Sequence, residues 1–155
     1  MDKPKFVYVS YIESTPEKVW NALSDPELTR RYWFNHENVS DWSVGSKWQH
    51  ILKGDQDKVH IVGKVLESDP PHKLVVSWAR PVDEANEAKH SRVTYLLEAL
   101  EKSVRLTVTH EEFGDDQEML QSVSFGWPAV ISGLKTLVET GTIAAAAGKR
   151  PENCG

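Results

Sequence analysis

Six histidines are the side chains best suited to chemistry, because an imidazole can bind a metal ion or carry a proton near neutral pH. They are His36, His50, His60, His72, His90 and His110. No two of them form a His-x-x-x-His pair, and the single cysteine, Cys154, lies one residue from the end of the sequence. This spacing gives no support for a zinc-type site. We therefore predict neither a metal site nor a cofactor.

Sequence motifs of the common enzyme classes are also absent. The sequence contains no Gly-x-Ser-x-Gly motif, no phosphate-binding glycine-rich loop and no dinucleotide fingerprint. A Ser-His-Asp triad stays open, because its members need not be adjacent in sequence. The residues that could act as a general acid or base are His50, His110, Tyr95 and Glu67. Nothing in the sequence singles these residues out, so we assign no catalytic residue and favour a non-enzymatic role.

Large aromatic side chains form the second notable group, namely Trp33, Phe34, Trp42, Trp48, Trp78, Tyr95 and Trp127. An aromatic ring brings apolar area and often one polar group, which suits a small hydrophobic ligand. Each ring taken alone is better explained by core packing. His50, Arg80 and His110 are the polar residues that we expect to orient a ligand, although each also fits an ordinary hydrogen-bonded strand residue.

A long amphipathic helix is predicted over the stretch Asp115 to Gly141. Its apolar residues recur at steps of three, four and seven and so share one face: Met119, Leu120, Val123, Trp127, Val130, Ile131, Leu134, Leu137 and Val138. Asp115 and Glu118 have capping-box spacing, and Gly141 suits the end. Pro128 removes a backbone donor inside this stretch, which predicts either a kink near Phe125 to Pro128 or two separate helices.

The remaining elements are two short helices and six strands. Thr15-Pro16-Glu17 and Asp25-Pro26-Glu27 are start signals for the helices, of which the second is expected over Pro26 to Trp33. Alternation of apolar and polar residues predicts strands over Phe6 to Ile12, Gly45 to Leu52, Lys58 to Glu67, Lys73 to Arg80, Ser91 to Leu100 and Val104 to Phe113. Hairpin turns join several of them, so the sheet is expected to be antiparallel. The acidic loop from Pro81 to Lys89 is interpreted as solvated, or alternatively as a pocket rim or docking edge.

Several short motifs occur in the order found in a known family. They are Ser14 to Leu23, Asp25-Pro26-Glu27, Gly45 with Trp48, Gly63 to Glu67 followed by Asp69-Pro70-Pro71, Leu74 to Trp78, Val93 to Glu98, Arg105 to His110, and Gly126-Trp127 followed by Leu134, Leu137 and Gly141. The chain thereby resembles the START-like (SRPBCC) superfamily, and within it the branch named for the activator of heat-shock-protein-90 ATPase homologue. The resemblance implies an α+β helix-grip fold. In that fold a curved antiparallel sheet of about six strands wraps around a long C-terminal helix, with two short helices after the first strand.

The resemblance bounds the function without naming it, because the superfamily includes lipid and polyketide binders, aromatic cyclases, hormone receptors and a co-chaperone domain. It implies a pocket for a small hydrophobic or aromatic molecule between the long helix and the sheet. The residues expected to line that pocket are Trp33, Trp48, His50, Val76, Trp78, Tyr95, Val108, His110, Val123, Trp127 and Ile131. One alternative is a co-chaperone-like protein-interaction domain, although we do not expect a chaperone partner. The other is a cyclase or hydrolase that acts on an aromatic or polyketide substrate.

Length and charge bound the remaining possibilities. The 155 residues suit one domain, which we place at residues 1–143, with residues 144–155 as a disordered tail. The formal net charge of −5 argues against binding to nucleic acid or to an anionic membrane surface. No apolar run approaches the roughly 18 residues of a membrane span, and no signal peptide is evident, so a cytoplasmic location is expected. A homodimer is left open.

Overall fold

The computed structural model describes residues 3–142, in which seven strands form one antiparallel sheet. The strands are β1 (Phe6–Ile12), β2 (His36–Val39), β3 (Lys47–Leu52), β4 (Lys58–Asp69), β5 (Lys73–Trp78), β6 (Ser91–Ala99) and β7 (Val104–Glu111). They lie in the order β1-β7-β6-β5-β4-β3-β2. The helices are α1 (Pro16–Ser24), α2 (Pro26–Tyr32) and α3 (Gln117–Thr140), and two short 3₁₀ turns cover Pro81–Asp83 and Glu87–Lys89. The predicted tail at 144–155, the predicted domain end at 143 and Cys154 fall outside the described residues.

The helix-grip fold expected from the sequence is confirmed, with one strand more than the six that were predicted. The additional strand, β2, follows α2 closely and pairs with β3. Its inward-facing residues are His36 and Asn38, which are buried although polar. Alternating apolar residues are the signal of a half-buried strand, and a strand whose buried positions are polar lacks that signal.

The predicted starts of the two short helices are confirmed at the level of hydrogen bonds. Thr15 Oγ1 accepts a hydrogen bond from the backbone N–H of Lys18 at 3.3 Å, which caps α1. Asp25 Oδ1 accepts from the N–H of Glu27 at 2.9 Å, which caps α2. Helix α2 ends one residue earlier than expected, and Trp33 follows it as the C-cap residue.

The long helix begins one residue later than the capping-box prediction placed it. Asp116, and not Asp115, is the N-cap, because its Oδ1 atom accepts a hydrogen bond from the N–H of Met119 at 2.9 Å. The helix continues through Pro128 without a break, so the alternative of two helices is wrong, while the kink stays a prediction. Gly141 ends the helix as expected, with a φ of 82° that glycine adopts without strain.

The core lies between the concave face of the sheet and the buried side of α3, where the two short helices also contribute side chains. The buried positions of α3 are Met119, Val123, Trp127, Val130, Ile131, Gly133, Leu134 and Leu137, which reproduce most of the predicted stripe. None of the helices within residues 3–142 is long and apolar enough to cross a membrane.

Strand β4 changes its pairing partner along its length. Its first half pairs with β3 and its second half with β5, and the register with β5 shifts between Val65 and Glu67. Gly63 lies where β4 changes partners, directly opposite Trp48. The indole N–H of Trp48 passes over Gly63 and donates to the carbonyl oxygen of Ser77 at 2.7 Å. A side chain at position 63 would occupy the path of this hydrogen bond.

Candidate ligand-binding site

A pocket of about 910 Å³ lies between the first half of α3 and the end of the sheet formed by β2, β3 and β4. This volume falls in the upper part of the range of roughly 300–1,000 Å³ that is typical of small-molecule sites. The pocket is lined by Trp33, Phe34, His36, His50, Val59, His60, Ile61, Trp78, Arg80, Pro81, Glu118, Met119, Gln121, Ser122, Val123, Phe125, Gly126, Trp127 and Val130.

Three tryptophans form the aromatic wall of the pocket. Trp33 follows α2, Trp78 ends β5 and Trp127 lies in the middle of α3, so three separate elements bring them together. The ring of Trp127 lies 5.3 Å from that of Trp33 and 5.7 Å from that of Trp78, centroid to centroid. All three are buried. They form a rigid apolar wall, but each ring is only 3–5% exposed, so the area that a ligand can contact on them is small.

The indole N–H groups of these tryptophans differ in how they are satisfied. Trp127 Nε1 donates to His110 Nδ1 at 3.1 Å. Among the residues that the structure describes, Trp78 Nε1 and Arg30 Nε are the buried side-chain nitrogens without a hydrogen-bond partner. A buried donor left unpaired costs free energy. The unpaired N–H of Trp78 therefore lowers the stability of the folded state at a position next to the pocket.

His36 and His60 form a hydrogen-bonded pair on the sheet side of the pocket. His36 Nδ1 lies 3.0 Å from the carbonyl oxygen of Trp33 and 2.9 Å from that of Phe34. Carbonyl oxygens only accept, so the proton of neutral His36 is on Nδ1. His36 Nε2 then offers its lone pair to His60 Nδ1, which is 3.0 Å away. The tautomers of the pair are thus fixed by backbone carbonyls that cannot donate.

A third imidazole, that of His50, stacks on His36. The two rings are nearly parallel, at an interplanar angle of 3°, and their centroids are 4.1 Å apart. His50 Nδ1 lies 2.6 Å from Asn38 Oδ1 on the neighbouring strand. We call His36, His50 and His60 the histidine cluster. Within residues 3–142, no group of three or more His, Cys, Asp or Glu side chains is arranged to hold a metal ion.

An ion pair lies beside the pocket at the start of α3. Arg80 Nη1 donates to Asp116 Oδ2 at 2.6 Å, and Asp116 also caps the helix. The hydrogen bond from Arg80 lowers the pKa of Asp116, and the same bond raises the pKa of Arg80. Arg80 and Glu118 are the formally charged residues among those that line the pocket. The pair fixes the position of the helix start relative to the end of β5.

His110 is buried in the core and is fully engaged in hydrogen bonds. Its Nδ1 atom accepts from the indole of Trp127, so neutral His110 carries its proton on Nε2. That Nε2–H donates to Ser91 Oγ at 2.8 Å, and the Ser91 hydroxyl donates to the carbonyl oxygen of Trp78 at 3.1 Å. Burial lowers the pKa of His110 to about 3. This neutral imidazole connects α3 to the sheet and has no hydrogen-bonding capacity left for a substrate.

The predicted pocket residues divide into two groups. Trp33, His50, Trp78, Val123 and Trp127 line the pocket, and so does the orienting residue Arg80. Trp48, Val76, Tyr95, Val108, His110 and Ile131 are buried in the core and do not line it. Strand parity identifies the side chains that face inward, but it does not show where the helix packs directly on the sheet and where a cavity is left. A role in ligand binding stays a prediction for the first group.

Several lining residues were missed by the sequence analysis, for different reasons. His36 lies on the strand that was not predicted. His60 lies on β4, where apolar residues occur on both faces and alternation therefore does not identify the inward side. Met119, Gly126 and Val130 follow the three- and four-residue steps from Val123, so the helical stripe carried a signal for them.

The candidate acid and base residues are dispersed. His50 lines the pocket, whereas His110 and Tyr95 are in the core, where burial also raises the pKa of Tyr95. Glu67 is on β4 and pairs with Lys73, with Oε2 and Nζ 3.1 Å apart. The four residues therefore do not form one acid–base group.

Comparison with known proteins agrees with this architecture. The profile of the family described as Activator of Hsp90 ATPase homolog 1-like protein matches residues 13–139. The chain belongs to this family. This chain has no match among curated proteins. The resemblance inferred from the ordered motifs is thereby confirmed at the level of the family, which leaves ligand and partner unassigned.

Solved structures show how widely the AHSA1-like fold is shared. The protein ChR145 from Cytophaga hutchinsonii is 26% identical, with a TM-score of 0.71 over 91% of this chain and 98% of its own. PFC0360w from Plasmodium falciparum, described as an HSP90 activator, is 27% identical, with a TM-score of 0.58 over 70% of this chain and 73% of its own. The Aha1 dimer from Colwellia psychrerythraea is 19% identical, with a TM-score of 0.72 over 89% and 98%, and therefore shares the fold alone.

Proposed function

We propose that this domain binds a small hydrophobic or aromatic molecule in the pocket between α3 and strands β2 to β4. The observation that carries the proposal is a 910 Å³ pocket with three buried tryptophans in its wall. A ligand bound in this pocket would remove the apolar part of its lining from water, which is favourable.

Binding is favoured over catalysis by the arrangement of the acid and base candidates. His50 is the one of the four that lines the pocket. A general acid or base must reach the proton that it transfers, usually within about 3.2 Å. His110 is committed to Trp127 and Ser91 and is neutral at physiological pH because burial lowers its pKa to about 3. The four predicted acid and base residues thus do not converge on a ligand in this pocket, although His36, His60 and Glu118 also line it.

The direct test is a substitution on α3 whose larger side chain fills the pocket. Val123 lines it, so Val123→Trp should occupy the space and weaken binding of N-phenyl-1-naphthylamine, an uncharged fluorescent probe, by at least tenfold. Binding would be followed by probe fluorescence, and folding by circular dichroism and thermal melting. Ser132→Trp is the matched control, because Ser132 is on the exposed side of the same helix and does not line the pocket.

The two variants separate the outcomes. Weakened binding in Val123→Trp, with native-like melting and unchanged binding in Ser132→Trp, supports the proposal. If Val123→Trp melts many degrees lower, the new ring overpacks a space too small for it, and the pocket is not a ligand site. Lack of probe binding by the unsubstituted protein would likewise count against the proposal.

A protein-interaction role is the second candidate, and one surface feature favours it. Strand β1 is at an edge of the sheet, and its outer face exposes Val7, Val9 and Tyr11 at 48%, 45% and 54%. A row of exposed apolar side chains on an edge strand is a common docking surface. The 27% identical HSP90 activator suggests an Hsp90-type chaperone as the occupant.

This second candidate is tested with a purified Hsp90-type chaperone. The domain should stimulate its ATPase, Val9→Asp should abolish the stimulation, and Val44→Asp, exposed elsewhere on the chain, should not. Absence of stimulation by the unsubstituted domain dismisses the candidate. Gel filtration of the same variants shows whether the β1 row instead joins two copies of this chain.

A further inference from the structure

We propose that the ligand of this pocket carries one acidic group, and that the His36–His60 pair binds it as a monocation. The inference rests on the proposed function and names the chemical class of the ligand: planar aromatic molecules with a single carboxylate, sulfonate or similar anion. The aromatic wall would hold the ring system. The histidine cluster, on the opposing strands β2, β3 and β4, would hold the anion.

The hydrogen bonds of the pair allow it to accept one proton and retain its geometry. His36 Nδ1–H is held by the carbonyl oxygens of Trp33 and Phe34. A proton added to the pair can be shared along the His36 Nε2···His60 Nδ1 hydrogen bond of 3.0 Å. That bond becomes charge-assisted and therefore stronger. A second proton would place two N–H groups against each other and break the bond.

His50 limits the cluster to one charge. Its ring is stacked on that of His36 at 4.1 Å, and like charges at this distance in a partly buried site repel strongly. A neutral His50 is compatible with its 2.6 Å contact to Asn38. The repulsion between the stacked rings therefore favours one positive charge on the histidine cluster over two. A single charge complements a monoanion better than a dianion.

The other charged groups near the cluster do not supply a competing cation. Arg80 lines the same pocket, but Asp116 binds its guanidinium at 2.6 Å. Glu118, on α3, is the carboxylate among the residues that line the pocket, and its charge helps to raise the pKa of Arg80.

On β2 itself, the carboxylate of Glu37 is bound by two cations of its own. Its oxygens lie 3.7 Å from Arg30 Nε and 3.9 Å from Lys53 Nζ. The charges adjacent to the cluster therefore largely compensate one another.

The test compares two probes that differ by one anionic group. 8-Anilinonaphthalene-1-sulfonate is an anion over the whole working range, and N-phenyl-1-naphthylamine is the same ring system without the sulfonate. If the pair binds the anion as a monocation, the dissociation constant of the sulfonate should fall by about tenfold when the pH is lowered from 8.0 to 5.5. The dissociation constant of the uncharged probe should stay the same.

Substitutions assign this pH dependence to the pair. His60 is only partly buried, so His60→Asn should fold and should bind the sulfonate with a dissociation constant that no longer depends on pH. His72→Asn is the matched control, because His72 is exposed in the turn between β4 and β5 and does not line the pocket. If His60→Asn is unstable, NMR titration of the imidazole resonances replaces it: His36 and His60 should titrate together, and the sulfonate should raise their common midpoint.

The outcomes distinguish this inference from the proposed function. Equal pH dependence for both probes, pH dependence retained in His60→Asn, or independent titration of His36 and His60 overturns the inference. In each of these cases binding of the uncharged probe, and its loss in Val123→Trp, would leave the proposed function intact. Failure of the uncharged probe to bind would overturn the proposed function itself.

Discussion

The imidazole of His110 is the residue whose protonation should decide the acid stability of this domain. Its Nδ1 atom accepts the indole N–H of Trp127, and a proton at that position would remove the acceptor. Burial lowers its pKa to about 3, against an ordinary value near 6.5 in the unfolded chain. The unfolded state thus binds more protons between these two values. The stability that neutral His110 provides is therefore complete above about pH 6.5 and is lost as the pH falls toward 3.

Linkage gives the size of this effect. Between pH 7 and pH 5 the free energy of unfolding should fall by about 2 kcal/mol on account of His110. Urea denaturation at the two pH values measures the fall. His110→Asn keeps a side-chain acceptor but does not titrate. In this variant the free energy of unfolding should fall by about 2 kcal/mol less between pH 7 and pH 5 than in the unsubstituted protein. The variant itself should be less stable at both pH values. An equal fall in both proteins would show that other groups, such as the histidine cluster, cause the pH dependence.

The roles of individual side chains were the part of the site least open to sequence analysis. His50 and His110 were predicted as equivalent pocket residues because both are inward-facing histidines on strands. One lines the pocket, and the other is enclosed by Trp127, Ser91 and Trp78. The difference depends on where the gap between α3 and the sheet ends. No local pattern of residues encodes that position.

At the scale of elements, the change of partners by β4 depends on one glycine. A Cβ at position 63 would collide with the carbonyl oxygen of Ser77 and with the indole nitrogen of Trp48. Gly63→Ala should therefore break the Trp48–Ser77 hydrogen bond or displace β4, because neither a backbone carbonyl nor a buried indole moves easily. The expected loss in the free energy of unfolding is about 2–4 kcal/mol. Chemical denaturation measures it.

A matched glycine on the same hairpin provides the control. Gly54 is in the turn between β3 and β4, where an added Cβ meets nothing within 4 Å. Gly54→Ala should change the free energy of unfolding by no more than about 0.5 kcal/mol. Similar losses in the two variants would mean that chain flexibility, and not the contact with Trp48, determines the cost at position 63.

Most elements were predictable because their signals are local. Apolar periodicity located α3 over nearly its whole length, and the Thr15 and Asp25 caps fixed the starts of α1 and α2. Strand β2 was missed, since its buried face consists of His36 and Asn38. The continuity of α3 at Pro128 was undecided for a related reason. Packing along both halves of the helix, which is a tertiary effect, holds it together through the proline.

At the scale of the whole molecule, the fold has a packed end and a hollow end. In the second half of α3, a helix that packs beside β1, residues such as Ile131 and Leu134 are completely buried and line no pocket. Where the first half of α3 passes β2, β3 and β4, the same helix faces a 910 Å³ space. The same apolar face of α3 extends over both the packed end and the hollow end of the fold. The sequence therefore predicted the architecture well, but it did not show which part of the stripe meets a cavity.

This division predicts that stability and ligand affinity respond to different positions of α3. Ile131→Ala removes a side chain that is 0% exposed and should lower the free energy of unfolding by about 2–5 kcal/mol. Folded Ile131→Ala should still bind N-phenyl-1-naphthylamine with an unchanged dissociation constant. Val123→Ala, two turns earlier, should cost no more than about 1.5 kcal/mol, because its side chain already borders open space, and should change that dissociation constant several-fold. Denaturation and probe titration of both variants measure the two quantities. A comparable loss of stability at both positions would mean that the hollow end is packed in solution, and the separation of the two ends would then be wrong.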